Sequence, residues 1–172
     1  MTATLTILGI DPGSQVTGFG VIAAEGVRLR YLGSGCIRTR GGPMAERLRV
    51  IYEGGTKLVE RYRPDEICIE RVFMHRNADS ALKLGHARAA ALCGTFVHEA
   101  PVHEYAPREI KLAVTGNGAA EKEQVAHMVR RLLSLSGPLA ADAADALAVA
   151  ICHAQLRKGR ALRAALATGV SG

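Results

Sequence analysis

The sequence predicts an α/β domain in which helices flank a mixed sheet of five strands. Three short segments of strand character, separated by turns, open the chain and favour an antiparallel meander. Further along, helical periodicity alternates with two more short apolar segments, and a helix between two strands implies a parallel crossover. The chain has 172 residues, of which 48% are hydrophobic, so it is long enough to bury a core as one ordinary domain.

The first three strands are expected at residues 4–10, 17–24 and 27–39. The first of them is short, apolar and rich in β-branched residues, which is typical of a buried strand. The Asp-Pro-Gly-Ser sequence at 11–14 has strong turn chemistry and ends this strand. Gly33 and Gly35 are predicted sites of a bulge or of a close backbone approach in the third strand.

Turn residues and periodicity predict the remaining elements. A helix is expected to begin after Gly41-Gly42-Pro43 and to continue to about Tyr62. Short strands are expected at 66–70 and 101–105, and further helices at 77–98, 107–114, 121–135 and 140–156. Residues 1–157 are therefore expected to form one domain, followed at 158–172 by a basic C-terminal tail that is loosely held.

The chain is basic, with a net charge of +6 and a pI of about 9.5. A basic chain favours polyanionic partners, nucleic acid first. However, four of these charges follow the last acidic residue of the chain; they belong to Arg157, Lys158, Arg160 and Arg163. A DNA-binding surface on the domain itself therefore depends on local sorting of basic and acidic residues.

Four cysteines lie far apart without a CxxC pair, and Cys68 and Cys152 lie inside apolar segments. Buried free thiols and a reducing compartment are the expected interpretation. Six scattered histidines without an HExxH motif argue against a structural zinc site. The N-terminal segment resembles neither a signal peptide nor a membrane span, so a cytoplasmic protein with no membrane partner is expected.

Acidic residues close two of the predicted strands. Asp11 directly follows the first strand, and Glu70 closes the apolar segment 67–69. A carboxylate at the end of a buried strand is held rigidly, is partly desolvated and is reachable from a cleft. Each acid also has an ordinary interpretation: Asp11 as a plain turn residue, and Glu70 as a surface acid paired with Arg71 or Arg63.

A second pair of acids lies in an alanine-rich segment that is expected to be helical. Asp142 and Asp145 are three residues apart, which places both carboxylates on one helix face with Cβ atoms roughly 5–6 Å apart. The alternative interpretation is complementation of the helix dipole, because both residues lie near the N-terminus of that helix. The apolar flanks indicate a packed face, however, and packed carboxylates need a cation or hydrogen-bond donors.

Two strand-end acids and a helical pair on a basic chain together suit a hard divalent cation. Magnesium takes oxygen ligands and bridges to phosphate. Two such ions, roughly 3.5–4 Å apart, can activate water and stabilise the leaving oxygen of a phosphodiester. The sequence offers neither a Ser-His-Asp nor a Cys-His arrangement, and it completes no glycine-rich phosphate motif.

Four motifs in chain order carry a family resemblance. They are Asp11-Pro12-Gly13-Ser14 with Thr17-Gly18, Glu70-Arg71-Val72-Phe73, Asn77-Ala78-Asp79-Ser80-Ala81 and Asp142-Ala143-Ala144-Asp145-Ala146. Over about 5–152, the chain closely resembles the RuvC family of bacterial Holliday-junction resolvases. One such motif alone is unspecific, whereas the ordered set is highly specific.

The resemblance implies an RNase H-like fold and a homodimer that nicks two opposing strands of a four-way DNA junction symmetrically. It implies 5′-phosphate and 3′-hydroxyl ends, a role in homologous recombination and DNA repair, and cooperation with the RuvA–RuvB branch-migration complex. It also carries the catalytic, metal-binding acids over onto Asp11, Glu70, Asp142 and Asp145. Their expected cofactors are two Mg²⁺ ions per subunit, with Mn²⁺ as a substitute.

The resemblance further implies contacts with DNA. Phe73 falls where the family places an aromatic that stacks on bases, a contact worth roughly 1–3 kcal/mol per base; its ordinary interpretation is a core residue. Lys111 and Lys122 match basic residues near the family's active site, and Arg76 is a further candidate for phosphate contact. The ordinary interpretation of such lysines is a solvated helix face. Arg71 stands where family members often carry an uncharged residue, and it is expected to contact phosphate or to pair with the preceding glutamate.

Three other functions stay open from the sequence. A related RNase H-like nuclease acting on other nucleic acid would share the acids, and an actin-like ATP-binding module would share the Asp-x-Gly turn. A DNA-binding structural protein would lack catalysis altogether. The chain is short for the two-lobed actin-like architecture, and cleavage assays on four-way junctions, duplexes, flaps and RNA separate the remaining candidates.

Overall fold

A computed structural model of the chain describes residues 3–71 and 77–168, except for the side chains of residue 158 and residues 160–168. The strands are β1 (Leu5–Asp11), β2 (Val16–Glu25), β3 (Arg28–Arg38), β4 (Glu66–Glu70) and β5 (Val102–Tyr105). The helices are α1 (Met44–Tyr62), α2 (Ala78–Thr95), α3 (Pro107–Thr115), α4 (Lys122–Leu132) and α5 (Ala141–Thr168). Each element expected from the sequence is present and has the predicted type.

One mixed sheet with the strand order β3-β2-β1-β4-β5 forms the centre of the fold. The first three strands pair antiparallel, and β4 and β5 extend the sheet from β1 in parallel. Parallel neighbours need long crossover connections, which contain α1 and α2. The predicted mixed sheet of five strands with an antiparallel start is therefore confirmed.

The third strand contains the bulge that its glycines predicted. Gly33 pairs with Val21, whereas Tyr31 pairs with Ile22, so that Leu32 is the extra residue on β3. Gly33 also makes a close approach, because a Cβ built on it would lie 2.2 Å from the hydroxyl oxygen of Tyr62.

The core consists of two apolar clusters, one on each face of the sheet. Leu8 and Ile10 of β1 belong to the cluster that includes residues of α1 and α2, and Ile7 belongs to the cluster that includes residues of α3, α4 and α5. Because β1 is covered on both faces, its sequence is continuously apolar rather than alternating. Cys68 and Cys152 lie buried in the second cluster and are not joined in a disulfide, as predicted.

The last helix is longer than the sequence pattern predicted. It was expected to end near Leu156, but its backbone continues to Thr168. Alanine, leucine and arginine predominate in this extension, and these residues have high helix propensity, while one interior glycine costs only about 1 kcal/mol. Local propensity therefore accounts for the extension. None of the helices within the described residues has the length and apolar character needed to span a bilayer.

Candidate active site

The pairing of two parallel strands brings the two strand-end acids together. β1 and β4 pair Ile10 with Ile69, so Asp11 and Glu70 follow at the same edge of the sheet. Their carboxyl groups share a hydrogen bond. Two residues that are 59 positions apart in sequence therefore form one acidic group.

A buried threonine holds the turn that follows Asp11. Thr17 is 1% exposed, and its hydroxyl donates a hydrogen bond to the Gly13 carbonyl oxygen at 2.9 Å. The hydroxyl oxygen of Thr17 in turn accepts a hydrogen bond from the Gly13 amide at 3.3 Å. Both backbone groups of Gly13 are therefore bonded to one side chain of β2, which restricts the turn after Asp11.

Glycines in the sheet set the position of the helical acids. A Cβ built on Gly18 of β2 would lie 2.0 Å from the Asp142 carbonyl oxygen, and one on Gly9 of β1 would lie 2.2 Å from that of Ala146. Only a residue without a side chain allows the α5 backbone to approach the strands so closely. The contact therefore positions the first turns of α5, which carry Asp142 and Asp145, beside the strand-end acids.

The acids and two lysines surround a cleft with a volume of about 120 Å³. The lining residues are Asp11, Glu70, Pro107, Ile110, Lys111, Lys122, Val125, Asp145 and Ala148. Asp142 lies one helical turn before Asp145 and is not among the lining residues, but its charge acts on Asp11. Three of the four predicted acids thus share the cleft directly, and the fourth acts on it electrostatically.

Mutual repulsion and burial perturb the acids in this cleft. The pKa of Asp11 rises from 3.8 to about 8, because Asp11 is desolvated by burial and because Glu70, Asp145 and Asp142 are nearby. The pKa of Glu70 is also raised, by burial and by Asp145, and this rise is opposed by its hydrogen bond with Asp11. Concentrated negative charge of this kind is stabilised by a cation.

Both predicted lysines contribute positive charge to the cleft. The Nζ atom of Lys122 lies 3.2 Å from Oδ2 of Asp145, and the attraction of Asp145 raises the pKa of Lys122. Lys111 projects from α3 into the same cleft and lowers the pKa of Glu70. The interpretation of these two residues as an ordinary solvated helix face is therefore incomplete, because both lie against the acids.

Arg71 pairs with an acid on the neighbouring strand. Its Nε atom lies 3.9 Å from Oε2 of Glu104 on β5, whose other carboxylate oxygen is 2.7 Å from a guanidinium nitrogen of Arg88. Successive residues of a strand point to opposite faces of the sheet, which directs Arg71 away from Glu70. The predicted DNA contacts Phe73 and Arg76 lie outside the described residues.

The donor set of the cleft fits magnesium. Among the described lining residues, the metal-ligating side chains are all carboxylates, with no cysteine and no histidine. Magnesium is bound in proteins by one or two carboxylates together with water and substrate phosphate. The pKa of Asp11 is raised by burial and by the neighbouring acids, and Lys122 opposes this rise only in part, so a divalent cation would relieve the remaining repulsion.

The glycines at the interface between α5 and the sheet have a role that the sequence pattern did not indicate. Gly18 belongs to one of the family motifs, and Gly9 and Gly20 carry no prediction, yet all three face α5. A signal was available, because small residues alternate along β2 and α5 is rich in alanine. Small residues on both sides of an interface indicate a close backbone approach.

The sheet order, the helices that cover both faces and the acids at one edge define the RNase H-like class of fold. The structure of the yeast mitochondrial Holliday junction resolvase Ydc2 supports the fold, with a TM-score of 0.65 over 91% of this chain and 83% of that chain at 12% identity.

Matches at higher sequence identity show the family to which the chain belongs. The model of the family "Crossover junction endodeoxyribonuclease RuvC" matches residues 7–153, and the chain belongs to this family. It is 55% identical to the RuvC of Methylococcus capsulatus over 152 residues, which cover 88% of this chain and 92% of that protein. It also matches the structure of T. thermophilus RuvC in complex with a Holliday junction substrate, with a TM-score of 0.84 and 35% identity over 90% of this chain and 96% of that chain.

Proposed function

We propose that this protein is a magnesium-dependent endonuclease that resolves four-way DNA junctions. The observation that carries the proposal is the convergence of Asp11, Glu70 and Asp145 with two lysines in one cleft. Several carboxylates with two lysines beside them suit a site that holds a cation and a phosphate together. The substrate is proposed from the family, whose description is a crossover junction endodeoxyribonuclease.

Two Mg²⁺ ions are the proposed cofactors, with Mn²⁺ as a substitute. Asp11, Glu70 and Asp145 would hold them, and Asp142 would complete the carboxylate set from the preceding turn of α5. When bound, magnesium supplies charge neutralisation at the phosphate and favours ionisation of water. The protein residues keep the carboxylates preorganised, through the parallel pairing of β1 with β4 and the close contact between α5 and β2.

The lysines are proposed to bind the scissile phosphate. Lys111 and Lys122 present their charges at the same cleft as the acids, which orients a phosphodiester toward the carboxylates. Preorganised cations in a cleft stabilise the charge that develops on a phosphate more effectively than mobile surface cations do. Phe73 and Arg76 are proposed as further DNA contacts, by stacking on a base and by binding phosphate.

A homodimer is the proposed active form. The chain carries this site once, and symmetric resolution of a junction needs two cuts on opposing strands, so two copies supply them. The proposed products have 5′-phosphate and 3′-hydroxyl ends. The proposed setting is homologous recombination and DNA repair in the cytoplasm, in cooperation with the RuvA–RuvB branch-migration complex.

The test uses purified protein and a synthetic mobile four-way junction, with and without magnesium. We expect paired nicks on opposing strands only with magnesium, and no comparable cleavage of linear duplex, flap or RNA substrates. Glu70→Gln and Asp11→Asn should lower the cleavage rate by more than about 10³-fold and leave junction binding in a gel-shift assay intact.

The matched control for this test is Glu99→Gln, which replaces an exposed acid outside the cleft and should cleave like the unmodified protein. Equal cleavage of linear duplex would remove the junction as substrate. Normal cleavage by Glu70→Gln would remove the proposed site. Light scattering should give the mass of two chains, and a monomer that makes paired nicks would contradict the dimer.

A further inference from the structure

A cluster of two histidines and a glutamate lies at the opposite end of the sheet from the cleft. Its members are Glu66 at the start of β4, His103 on β5 and His153 on α5. Glu66 and Glu70 point to the same face of β4, because they are four residues apart, and are separated by about 13 Å along the strand. The cluster is therefore spatially distinct from the proposed catalytic acids.

The three side chains direct potential ligand atoms at one point. One ligand atom from each residue lies within 4.8 Å of the others. Oε2 of Glu66 is 3.7 Å from Nε2 of His103, and it is hydrogen-bonded to Nε2 of His153. Two ligands on one tetrahedral zinc ion are roughly 3.4 Å apart, given bonds of 2.0–2.1 Å. Only small side-chain movements separate this arrangement from a coordination shell.

Neighbouring groups orient these ligands in the manner of a metal site. The Tyr105 hydroxyl oxygen is 2.8 Å from Nδ1 of His153, so the opposite nitrogen of that ring, Nε2, faces Glu66. A hydrogen bond at the distal nitrogen is the usual support of a histidine that binds metal. Arg157 donates from Nε to Oε1 of Glu66 at 2.8 Å, which leaves Oε2 for the centre of the cluster.

One ring nitrogen of His103 is available to bind a ligand at the cluster. Its Nε2 atom is buried, and within the described residues it makes no hydrogen bond. A buried polar nitrogen without a partner is costly, and a metal ion that accepts its lone pair would satisfy it. The site is also reachable from solvent, since the side chain of His103 is 31% exposed and that of Arg157 is 47% exposed.

We propose that Glu66, His103 and His153 bind a divalent transition-metal ion, Zn²⁺ by preference. Two imidazoles and one carboxylate form a common ligand set for zinc, with water in the fourth position. The ion would join β4, β5 and α5 at the end of the sheet away from the cleft, and its effect is on stability rather than on cleavage. Residue spacing could not have revealed the site, because its ligands come from three separate elements.

The first test is visible absorption of bound Co²⁺, which reports a four-coordinate site with nitrogen ligands. The full chain is stripped with chelator and then held in excess magnesium, which occupies oxygen-only sites. We expect one equivalent of Co²⁺ to give tetrahedral absorption bands that Zn²⁺ displaces. His103→Gln should abolish the bands, and His127→Gln, a change of an exposed histidine on α4, should retain them.

The second test is thermal unfolding in the same magnesium buffer. At about one hundred times its Kd, Zn²⁺ should raise the Tm of the full chain by about 5–10 °C. His103→Gln should lose this shift, and it should still fold, because Nε2 of His103 has no hydrogen bond within the described residues to lose.

Three outcomes would overturn the zinc site. They are no Tm shift in the unmodified protein, an equal shift in His103→Gln, and a shift that Asp145→Asn removes, because the last would locate zinc in the cleft. The zinc proposal is independent of the proposed nuclease activity, since neither its binding bands nor its Tm shift depends on DNA cleavage.

Discussion

Asp11 is the residue with the most perturbed environment in the candidate active site. Burial and three nearby acids raise its pKa from 3.8 to about 8. In the metal-free protein, Asp11 therefore keeps its proton across a pH range in which the same residue is ionised in the unfolded chain. A buried carboxyl group at the end of β1 therefore lowers the stability of the fold. Residues that lower stability in this way are characteristic of functional positions.

The contribution of Asp11 to the stability of the metal-free protein should fall as the pH rises from about 4 to 8. The folded state binds more protons than the unfolded state in this window, because the folded pKa lies above the unfolded one. Asp11→Asn removes the titrating group, and at pH 8 it should raise the free energy of unfolding by about 0.5–2 kcal/mol. Urea unfolding in chelator at both pH values measures this.

The control for the pH experiment is Glu53→Gln, which changes an exposed acid on α1 and should keep the slope of the unmodified protein. An unchanged slope in Asp11→Asn would contradict the role assigned to this carboxyl group. Saturating magnesium should reverse the trend, because the ion binds the ionised form.

Lys122 is the cation in closest contact with the acids, 3.2 Å from Asp145. Lys122→Gln should lower the junction-cleavage rate by about 10²-fold, the scale of losing one preorganised charge. The folding stability should change by less than about 1 kcal/mol, since the side chain is 77% exposed. Single-turnover cleavage and thermal unfolding measure the two effects.

Lys57→Gln provides the same chemical change on the exposed surface of α1 and should leave the cleavage rate unaltered. If both lysine variants cut junctions at the normal rate, Lys122 has no part in binding the phosphate. If both are equally slow, the effect comes from overall charge rather than from the cleft.

At the scale of elements, the contact between α5 and β2 connects folding with the site. Gly18→Ala would place a methyl group 2.0 Å from the Asp142 carbonyl oxygen, so helix and strand must separate. We expect a loss of about 1–3 kcal/mol of stability together with a loss of cleavage, because the helical acids move. Junction-cleavage and urea-unfolding assays check both.

Gly159→Ala is the matched control, because it makes the same change within α5 at a position where the added Cβ would meet no other described part of the chain within 4 Å. Alanine is favoured over glycine in a helix, so this variant should be up to about 1 kcal/mol more stable and fully active. A Gly18→Ala protein that remains as stable and active as the unmodified chain would show that the interface adjusts without moving the acids.

Element types were predictable because local sequence determines them here. The Asp-Pro-Gly-Ser turn ends β1, and Asn77 caps α2 by accepting from the amides of Asp79 and Ser80 at 3.0 and 3.3 Å. The end of α5 was not predictable from periodicity, since the extension has high helix propensity without a recognisable apolar face. The role of the interface glycines was not predictable either, because the sequence does not show which helix covers which strand.

At the scale of the whole molecule, the grouping of the acids in the candidate active site was easier to predict from the sequence than the contacts around it. The strand-end acids were predictable because parallel pairing aligns the ends of neighbouring strands, and Asp145 because helix spacing is regular. The pairing of Arg71 with Glu104 depends on the sheet order, and the cluster around His153 depends on three elements, so neither is visible in a linear pattern.

The basic segment at 158–172 remains a proposed tail to the nuclease domain. A chain that ends at Arg157 keeps the cleft and the contact between Arg157 and Glu66, and it should cut junctions normally at low salt. It loses the positive charges of Lys158, Arg160 and Arg163, so its junction affinity should fall about 2–10-fold at moderate salt, with a shallower salt dependence.

Gel-shift titrations at several salt concentrations measure this change. A variant with these three residues replaced by Gln in the full chain separates charge from length. If truncation abolishes cleavage at low salt while the Gln variant is active, the segment belongs to the domain and is not a tail.

The acids at the cleft come from both halves of the chain, and this has a consequence during protein synthesis. Asp11 and Glu70 are made early, whereas the helix that carries Asp142 and Asp145 is made after all five strands. Domains that emerge from the N-terminus can fold before the chain is complete, but here the early strands hold only half of the carboxylates. A chain that stops before α5 should therefore be inactive, because it lacks Asp142 and Asp145.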